Sequence, residues 1–192
     1  MYKLCKTEQS ANRQREIEKC FLDILRHKHY EEITITEICQ KINLPRKSFY
    51  RYFDGKEGVV QSLINHVMMD YNATYTNING KDITLKDEFE AFFNFWKEKR
   101  DILATLDKGG ILGRLIDSVT GFAMNEYDYV RGYLSDSDDE GKLVAYRFVV
   151  SGLMTMMIAW YRNGFKESVE TMSRTSVKII TRPLFENLSR NE

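Results

Sequence analysis

Proline and glycine are scarce in this chain, with two prolines and eleven glycines among 192 residues. No stretch longer than five residues alternates Val, Thr or Ile with polar residues at the period of two that half-buried strands show. Apolar residues instead recur three and four positions apart, which is the spacing of one helix face. The sequence therefore predicts an all-α fold of about nine helices.

Motifs for catalysis, metal binding and phosphate binding are missing too. Cys5, Cys20 and Cys39 form no CxxC pair and lie at no metal-ligand spacing. Cys20 and Cys39 fall on apolar helix faces, so we expect them to be reduced core residues. The sequence contains no nucleophile elbow, glycine-rich phosphate loop or HExxH motif. We therefore expect no catalytic residue, no cofactor and no metal site, and we do not expect an enzyme.

A signal peptide and a membrane span are not predicted. The first ten residues, MYKLCKTEQS, have no apolar core, and the longest apolar run, 148–161, is too short and broken to cross a bilayer. We therefore expect a soluble, cytoplasmic protein with no membrane partner.

Excess charge of one sign is absent overall but not locally. The chain has 28 basic and 28 acidic residues. Residues 1–60 hold twelve basic and nine acidic residues, and the stretch 41–56 holds five basic and one acidic. A basic segment on a neutral chain is typical of a nucleic-acid-binding end attached to a body with another task.

The stretch 34–56 predicts a short helix, a tight turn and a second short helix. Thr34 and Glu37 have the T-x-x-E spacing of a capping box, in which both side chains accept backbone N–H groups at a helix start. Asn43 tolerates the left-handed conformation that ends many helices, and Leu44 closes the turn as an apolar plug. Pro45 has its φ preset for a helix start.

The second helix of this pair predicts a buried back and a polar front. Phe49 and Phe53, four residues apart, face the interior. The front carries Arg46, Lys47, Ser48, Arg51 and Tyr52. This arrangement suits a helix that enters the major groove of DNA, whereas the alternative is an ordinary solvated helix face.

The stretch resembles the helix-turn-helix of the TetR family of bacterial transcriptional regulators. The likeness lies in the T-x-x-E-I-C opening at 34–39, the Asn43-Leu44 turn, the S-F-Y-R-Y-F run at 48–53, and Lys56 with Glu57. The chain departs from the family pattern at four positions: Asn43 replaces the usual glycine, Cys39 and Ile42 replace small alanines, and Pro45 replaces the serine N-cap.

The resemblance implies which residues contact a double-stranded DNA operator. Arg46, Lys47 and Ser48 would read bases, since Arg or Lys at guanine is the commonest direct contact. Other side chains would hold phosphates and fix the register. The candidate DNA-binding residues are Thr34, Thr36, Pro45, Arg46, Lys47, Ser48, Tyr50, Tyr52 and Lys56.

The same family implies two domains, a helix-turn-helix domain at 1–55 and a ligand-binding and dimerisation domain at 56–192. The first nine residues read as a polar tail. Capping boxes are predicted at Thr84 with Asp87 and at Ser137 with Glu140. Outside the pair at 34–53, helices are expected at 10–29, 56–76, 85–99, 102–107, 111–133, 142–163 and 168–187.

The helix after Thr84 is dense in aromatic residues, which by default means a core. Aromatics on more than one of its faces also predict a lined cavity for a small-molecule effector. The candidate pocket residues are Phe92, Phe95, Trp96, Arg114, Met124, Tyr127, Tyr146 and Met154. Arg114 would anchor a polar ligand or, in the alternative reading, form a surface salt bridge with Asp117.

The helix expected at 142–163 is apolar on nearly every face, so it must be covered on most sides. A two-fold interface with a second copy would cover it, while the alternative is a helix buried inside one chain. Because the family forms homodimers, we expect the interface, with candidate residues Val150, Met157, Trp160, Tyr161, Val177, Ile180 and Leu184.

These expectations add up to a ligand-responsive repressor that binds a near-palindromic operator as a homodimer. The alternative is a protein of the same fold that works through a protein partner, as a co-activator or interaction module. An enzyme built in the aromatic pocket is a more remote alternative, because the sequence offers it no acid, base or metal.

Overall fold

The structure is a computed structural model, and it describes residue 2 and residues 7–76, 84–125 and 139–182. The described residues contain nine α-helices and no named β-strand, which confirms the all-α prediction. The helices are α1 (Glu8–Leu25), α2 (Ile35–Lys41), α3 (Arg46–Phe49), α4 (Lys56–Thr76), α5 (Leu85–Glu98), α6 (Arg100–Lys108), α7 (Leu112–Asn125), α8 (Asp139–Arg162) and α9 (Val169–Thr181). A 3₁₀ turn, Tyr30–Glu32, precedes α2.

The first helix lies earlier in the chain than its sequence pattern predicts. The hydroxyl of Thr7 accepts the N–H of Ser10 at 3.2 Å, and this cap starts α1 at Glu8. The helix ends at Leu25 instead of residue 29, because the chain turns there into Tyr30. The expected helix residues 126–133 and 183–187, and the Ser137 cap, lie outside the described residues.

Part of the predicted polar tail is paired. Tyr2 forms an isolated antiparallel bridge with Phe53, which lies four residues past the end of α3. Its hydroxyl accepts a hydrogen bond of 2.9 Å from the side-chain amide of Asn65. The tail prediction therefore needs correction at Tyr2, whose partners are too distant in sequence for a local pattern to indicate.

The chain forms two compact units. Unit 1 comprises Met1–Asp70 and Asp101–Val119, and unit 2 comprises Tyr71–Arg100 and Thr120–Glu192. The sequence predicts a domain boundary after residue 55, whereas unit 1 takes in the first part of α4 and the segment 101–119 as well. Leu63, Leu103 and Leu115, which lie in these added parts of unit 1, are all buried.

The core of unit 1 is built on the inner stripe of α1. Ile17, Phe21 and Leu25 are fully buried, as the helical spacing predicts. Cys20 and Cys39 are buried free thiols, and burial raises the pKa of both. The prediction that they are reduced core residues is confirmed.

The end of α6 is packed closely against α1. The N–H of Ile111 donates to the carbonyl of Leu106, and Gly110 takes a φ of +76°, so the helix ends in a Schellman motif. A Cβ added to Gly109 would lie 2.3 Å from Cδ1 of Leu25. Only glycine fits at position 109 without a shift of its neighbours.

The core of unit 2 is an aromatic cluster centred on α5. The Thr84–Asp87 capping box that the sequence predicts is present and starts this helix. Phe93 is fully buried and meets the ring of Trp160 on α8 edge to face, at 5.5 Å between centroids. Such contacts add to the free energy gained by burying each ring.

Helix α8 is apolar, and the described residues cover only a small part of it. Over Glu140–Arg162 its 18-residue window has a mean hydropathy of 1.6, yet only 22 % of that window is buried. Val144 is 62 % exposed and Phe148 is 71 % exposed. By length and composition the helix could cross a membrane, which corrects the prediction that no segment is long enough.

Candidate nucleic-acid interface

The turn between α2 and α3 has the geometry that its sequence predicts. Asn43 has a φ of 49°, and its N–H donates to the carbonyl of Gln40 at 3.3 Å. The N–H of Leu44 donates to the carbonyl of Cys39 at 2.8 Å, which completes a Schellman motif. Leu44 is buried. Asparagine therefore fills the left-handed position where glycine is usual in the family.

The cap of α2 is only half of the predicted capping box. The hydroxyl of Thr34 accepts the N–H of Glu37 at 3.1 Å, as predicted. The Glu37 carboxylate instead accepts a hydrogen bond from Lys28 at 2.6 Å. The glutamate half of the prediction was wrong, because Lys28, three residues after the end of α1, comes close enough to bind the carboxylate.

Helix α3 is one turn long and is fixed from behind. Its N-cap is Pro45, which makes no side-chain capping bond. Phe49 and Phe53 are fully buried, and their ring centroids lie 5.6 Å apart. Backbone bonds continue from Phe49 to Tyr52 and Phe53, so the chain stays tightly turned past the last helical residue. Two buried rings therefore set which side of α3 faces outward.

The outward side of α3 is basic and rich in donors. Arg46 and Lys47 are exposed, and Ser48 is half-buried. A guanidinium nitrogen of Arg46 lies 3.5 Å from the hydroxyl of Tyr50, which is itself exposed. These donors match the acceptors that a guanine presents in the major groove.

The remaining candidate DNA-binding residues differ in accessibility, and Lys56 is already hydrogen-bonded within the chain. Thr34, Thr36 and Pro45 are exposed, and Tyr52 is half-buried. Lys56 is only 19 % exposed in its side chain. Its ammonium donates to the carbonyls of Tyr30, Glu31 and Ile33 at 2.8, 3.2 and 3.3 Å. These three acceptors match its three hydrogens, so a phosphate would have to share them.

A cluster of side chains around Tyr30 links the 3₁₀ turn before α2 to the start of α4. Sequence reasoning missed this cluster. The Tyr30 hydroxyl donates to Glu57 at 2.6 Å. Its ring lies under two cations, with Lys56 Nζ and Arg114 Cζ each 4.2 Å from the centroid. Burial raises the pKa of Tyr30, and the hydrogen bond from Tyr30 lowers the pKa of Glu57. The partners lie too far apart in sequence for a motif to reveal them.

The structure brings three of the predicted pocket residues together: Phe92, Phe95 and Trp96. Phe92 and Phe95 are buried against Tyr71, whose ring lies 6.3 and 5.1 Å from theirs. Burial raises the pKa of Tyr71, with Glu88 and then Tyr146 acting in the same direction. Tyr71 was missing from the predicted set.

The other predicted pocket residues take various positions. Trp96 packs against Phe92 and Phe95, and Met154 is fully buried. The sulfur of Met124 accepts a hydrogen bond from Arg147 at 3.4 Å. Tyr127 lies outside the described residues, and Arg114 belongs to unit 1. The Arg114 guanidinium lies over Tyr30, a partner that neither sequence-based reading of it named.

The predicted dimer-interface residues divide by accessibility. Met157 and Trp160 are buried within the chain, where Trp160 meets Phe93 and Phe165, so these two leave the predicted interface. Ile180 is exposed, and Leu184 lies outside the described residues. The remaining candidates, Val150, Tyr161 and Val177, are half-buried.

A buried carboxylate between α1 and α4 forms a separate polar cluster. Glu18 accepts hydrogen bonds from Ser62 at 2.6 Å and contacts His66 Nδ1 at 2.9 Å. The cluster borders an open groove of about 240 Å³. Ser62 donates to the carboxylate and not to the imidazole, so His66 is not placed to activate it as a nucleophile.

The C-terminal half of the sequence matches a known family. Residues 83–182, slightly more than half of the chain, match a family model described as "Transcriptional regulator C-terminal region" of the TetR type. The chain belongs to the TetR family. It is therefore a transcriptional regulator, as the resemblance of 34–57 implies for the other half of the sequence.

Solved structures of TetR regulators share the fold. A TetR transcriptional regulator from Streptococcus agalactiae is 19 % identical, with a TM-score of 0.63 over 91 % of this chain and 96 % of that one. A protein from Syntrophomonas wolfei described as a TetR-family regulator is 16 % identical, with a TM-score of 0.64 over 93 % and 100 %. No curated protein shows a significant match.

A third structure carries a more specific name. The dihydroxyacetone kinase operon activator DhaS is 19 % identical to this TetR-family chain, with a TM-score of 0.55 over 88 % of this chain and 93 % of that one. At these identities the likeness is one of fold. The family and these structural neighbours are transcriptional regulators and not enzymes.

Proposed function

We propose that this TetR-family chain is a cytoplasmic repressor that binds a near-palindromic operator as a homodimer and responds to a small-molecule effector. The observation that carries the proposal is the two-sided α3, with Phe49 fully buried behind and Arg46 and Lys47 exposed in front. A short helix held in this way presents its donors at a fixed angle, as readout of a groove requires.

The contacts with DNA divide into two kinds. Arg46, Lys47 and Ser48 read base edges from the front of α3. Thr34, Thr36, Tyr50 and Tyr52 hold phosphates, which fixes the register without reading sequence. Lys56 contributes mainly by its bonds to the carbonyls before α2.

The exposed apolar side of α8 supports the homodimer. Val144 and Phe148 are large apolar residues that the chain leaves exposed. Gly152, Thr155 and Ala159 are small and exposed on the same helix, so another helix can approach closely. A second copy would remove this surface from water, and in this family we favour it over a lipid bilayer as the cover.

The effector proposal is supported by the aromatic cluster of unit 2. Tyr71, Phe92, Phe95 and Trp96 gather there in edge-to-face contacts, and Tyr71 is the polar member. Aromatic walls with few polar groups suit a mostly apolar molecule. An effector that prefers one arrangement of the two DNA-binding heads shifts DNA affinity, and DNA shifts effector affinity equally.

Repression is the proposed sign, because a dimer on a promoter blocks polymerase without further contacts. The neighbour named as an operon activator shows that the fold also serves activation, so the sign has to be measured. The alternative of a module acting only through a protein partner is not favoured, since the matched model and the neighbours are transcriptional regulators.

A reporter experiment tests this function. DNA enriched from a random pool by the full chain is placed over a promoter, and expression is measured with and without the chain. We expect reduced expression with the chain, and recovery when an apolar effector is added. Increased expression would overturn repression, and failure to enrich any DNA sequence would overturn operator binding. Effector binding is read separately, from the fluorescence of Trp96 in a Trp160→Phe variant; no response from any compound that restores expression would overturn this site.

A further inference from the structure

Arg114 reaches the helix-turn-helix through one aromatic ring. Tyr30 is buried, and its ring has Lys56 Nζ and Arg114 Cζ each 4.2 Å from the centroid. A guanidinium at this distance from an aromatic face is attracted by the ring, most strongly where water is excluded. The contact therefore ties the first turn of α7 to the turn before α2.

The charge of Arg114 also balances a carboxylate at the start of α4. Glu57 accepts the Tyr30 hydroxyl at 2.6 Å, and Arg114 acts with this bond to lower the pKa of Glu57. Arg114 counters the effect of Glu57 on Tyr30 as well, since it lowers the pKa that burial raises. Loss of Arg114 would leave the buried Tyr30 with less compensation for its lost hydration.

The backbone around Arg114 is held rigidly. The N–H of Arg114 donates to the carbonyl of Ile111 at 3.0 Å, and the next residue, Leu115, is fully buried. The carbonyl of Gly109 accepts the N–H of Tyr30 at 2.9 Å. The segment 109–115 thus holds Tyr30 by its backbone and by its ring.

Tyr30 in turn lies just ahead of the predicted phosphate contacts. Its carbonyl and that of Ile33 accept hydrogen bonds from Lys56. Thr34, the next residue, is the N-cap of α2, and Thr36 follows in the first turn. A change in the position of Tyr30 therefore moves the start of α2.

We propose that Arg114 is a positioning residue for DNA binding, which acts through Tyr30 and Glu57 to hold the start of α2 in its binding position. This inference rests on the proposed operator binding. It assigns Arg114 to the DNA-binding unit in place of the ligand pocket.

The test compares Arg114→Leu with Lys108→Leu in the full chain. Both variants remove one positive charge from the part of unit 1 at 101–119, but Lys108 is exposed and is the last residue of α6. We expect Arg114→Leu to raise the operator Kd roughly tenfold, in line with a partly buried cation–ring contact. Lys108→Leu should stay within about twofold, since exposed charges contribute little. Equal Kd values for Arg114→Leu and Lys108→Leu would overturn the inference.

A double-mutant cycle on operator affinity tests the coupling between Arg114 and Glu57. If Arg114 acts through Glu57, the double variant Arg114→Leu/Glu57→Gln should bind about as weakly as Arg114→Leu alone. If Glu57→Gln alone also weakens operator binding, and its loss multiplies with that of Arg114→Leu in the double variant, the route through Glu57 is overturned. Arg114→Lys keeps a cation over the ring and should restore most of the affinity, which also covers a Leu variant that fails to fold. Binding of DNA by the wild-type chain is measured first, because its absence overturns the proposed function and this assignment with it. Wild-type binding with equal Kd values for the two Leu variants overturns this assignment alone.

Discussion

Replacing Phe148 by glutamate should convert the proposed dimer to a monomer and weaken operator binding more than a hundredfold. Phe148 is 71 % exposed, on the one helix of the described residues that is long and apolar enough to cross a membrane. In the proposed dimer, two-fold symmetry would place the substitution in the interface twice. Burying one Phe side chain contributes about 1.5–3 kcal/mol, and two buried carboxylates add an unfavourable term. Sedimentation at micromolar concentration and a DNA titration measure the two effects.

Met69→Glu is the matched control for this variant. Met69, on α4, is 65 % exposed. The control therefore also introduces a glutamate in place of an exposed apolar side chain, but on another helix. We expect it to remain a dimer with nearly unchanged operator affinity. A Phe148→Glu chain that still sediments as a dimer would remove α8 from the interface. A wild-type chain that is monomeric, or that partitions into lipid vesicles, would contradict the dimer itself.

A mutation on the back of α3 should lower stability, whereas one on the front should lower DNA sequence preference. Phe49→Ala removes a fully buried ring and should lower the free energy of unfolding by about 3–5 kcal/mol, with loss of DNA binding as a consequence. Arg46→Ala removes an exposed side chain and should leave stability within about 0.5 kcal/mol. Its operator preference should fall by about 1–3 kcal/mol at one or two base pairs.

Chemical denaturation and a base-by-base scan of operator variants measure these changes. The two variants lie on the same turn of helix, so each is a control for the other. If Arg46→Ala kept the full preference at every base pair, Arg46 would be a solvated surface residue. If Phe49→Ala kept wild-type stability, the buried back of α3 would not be what fixes the helix.

The local features of the helix-turn-helix could be predicted from the sequence, because their causes lie within a few residues. Asn43 tolerates a positive φ, Thr34 caps the helix that follows it, and Phe49 with Phe53 recur at helical spacing. The all-α fold follows in the same way, from apolar periodicity and the scarcity of proline.

The errors arose where a side chain has a partner distant in sequence. Glu37 binds Lys28 instead of completing its capping box, and Arg114 lies over Tyr30 instead of in a pocket. Trp160 and Phe148 are both apolar residues of α8, yet Trp160 is buried against Phe93 and Phe148 is exposed. Periodicity shows that α8 is apolar all round, but only the packing shows which side is left uncovered.

The central claim is that a dimer places two α3 helices on one face of the DNA, and hydroxyl-radical footprinting of a selected operator tests it most directly. We expect two protected patches related by two-fold symmetry, with centres roughly 34–36 Å apart, about one helical turn. Protection should shrink in both patches together as the chain is diluted below its dimer dissociation constant. A single patch of protection, or protection without symmetry, would contradict the account.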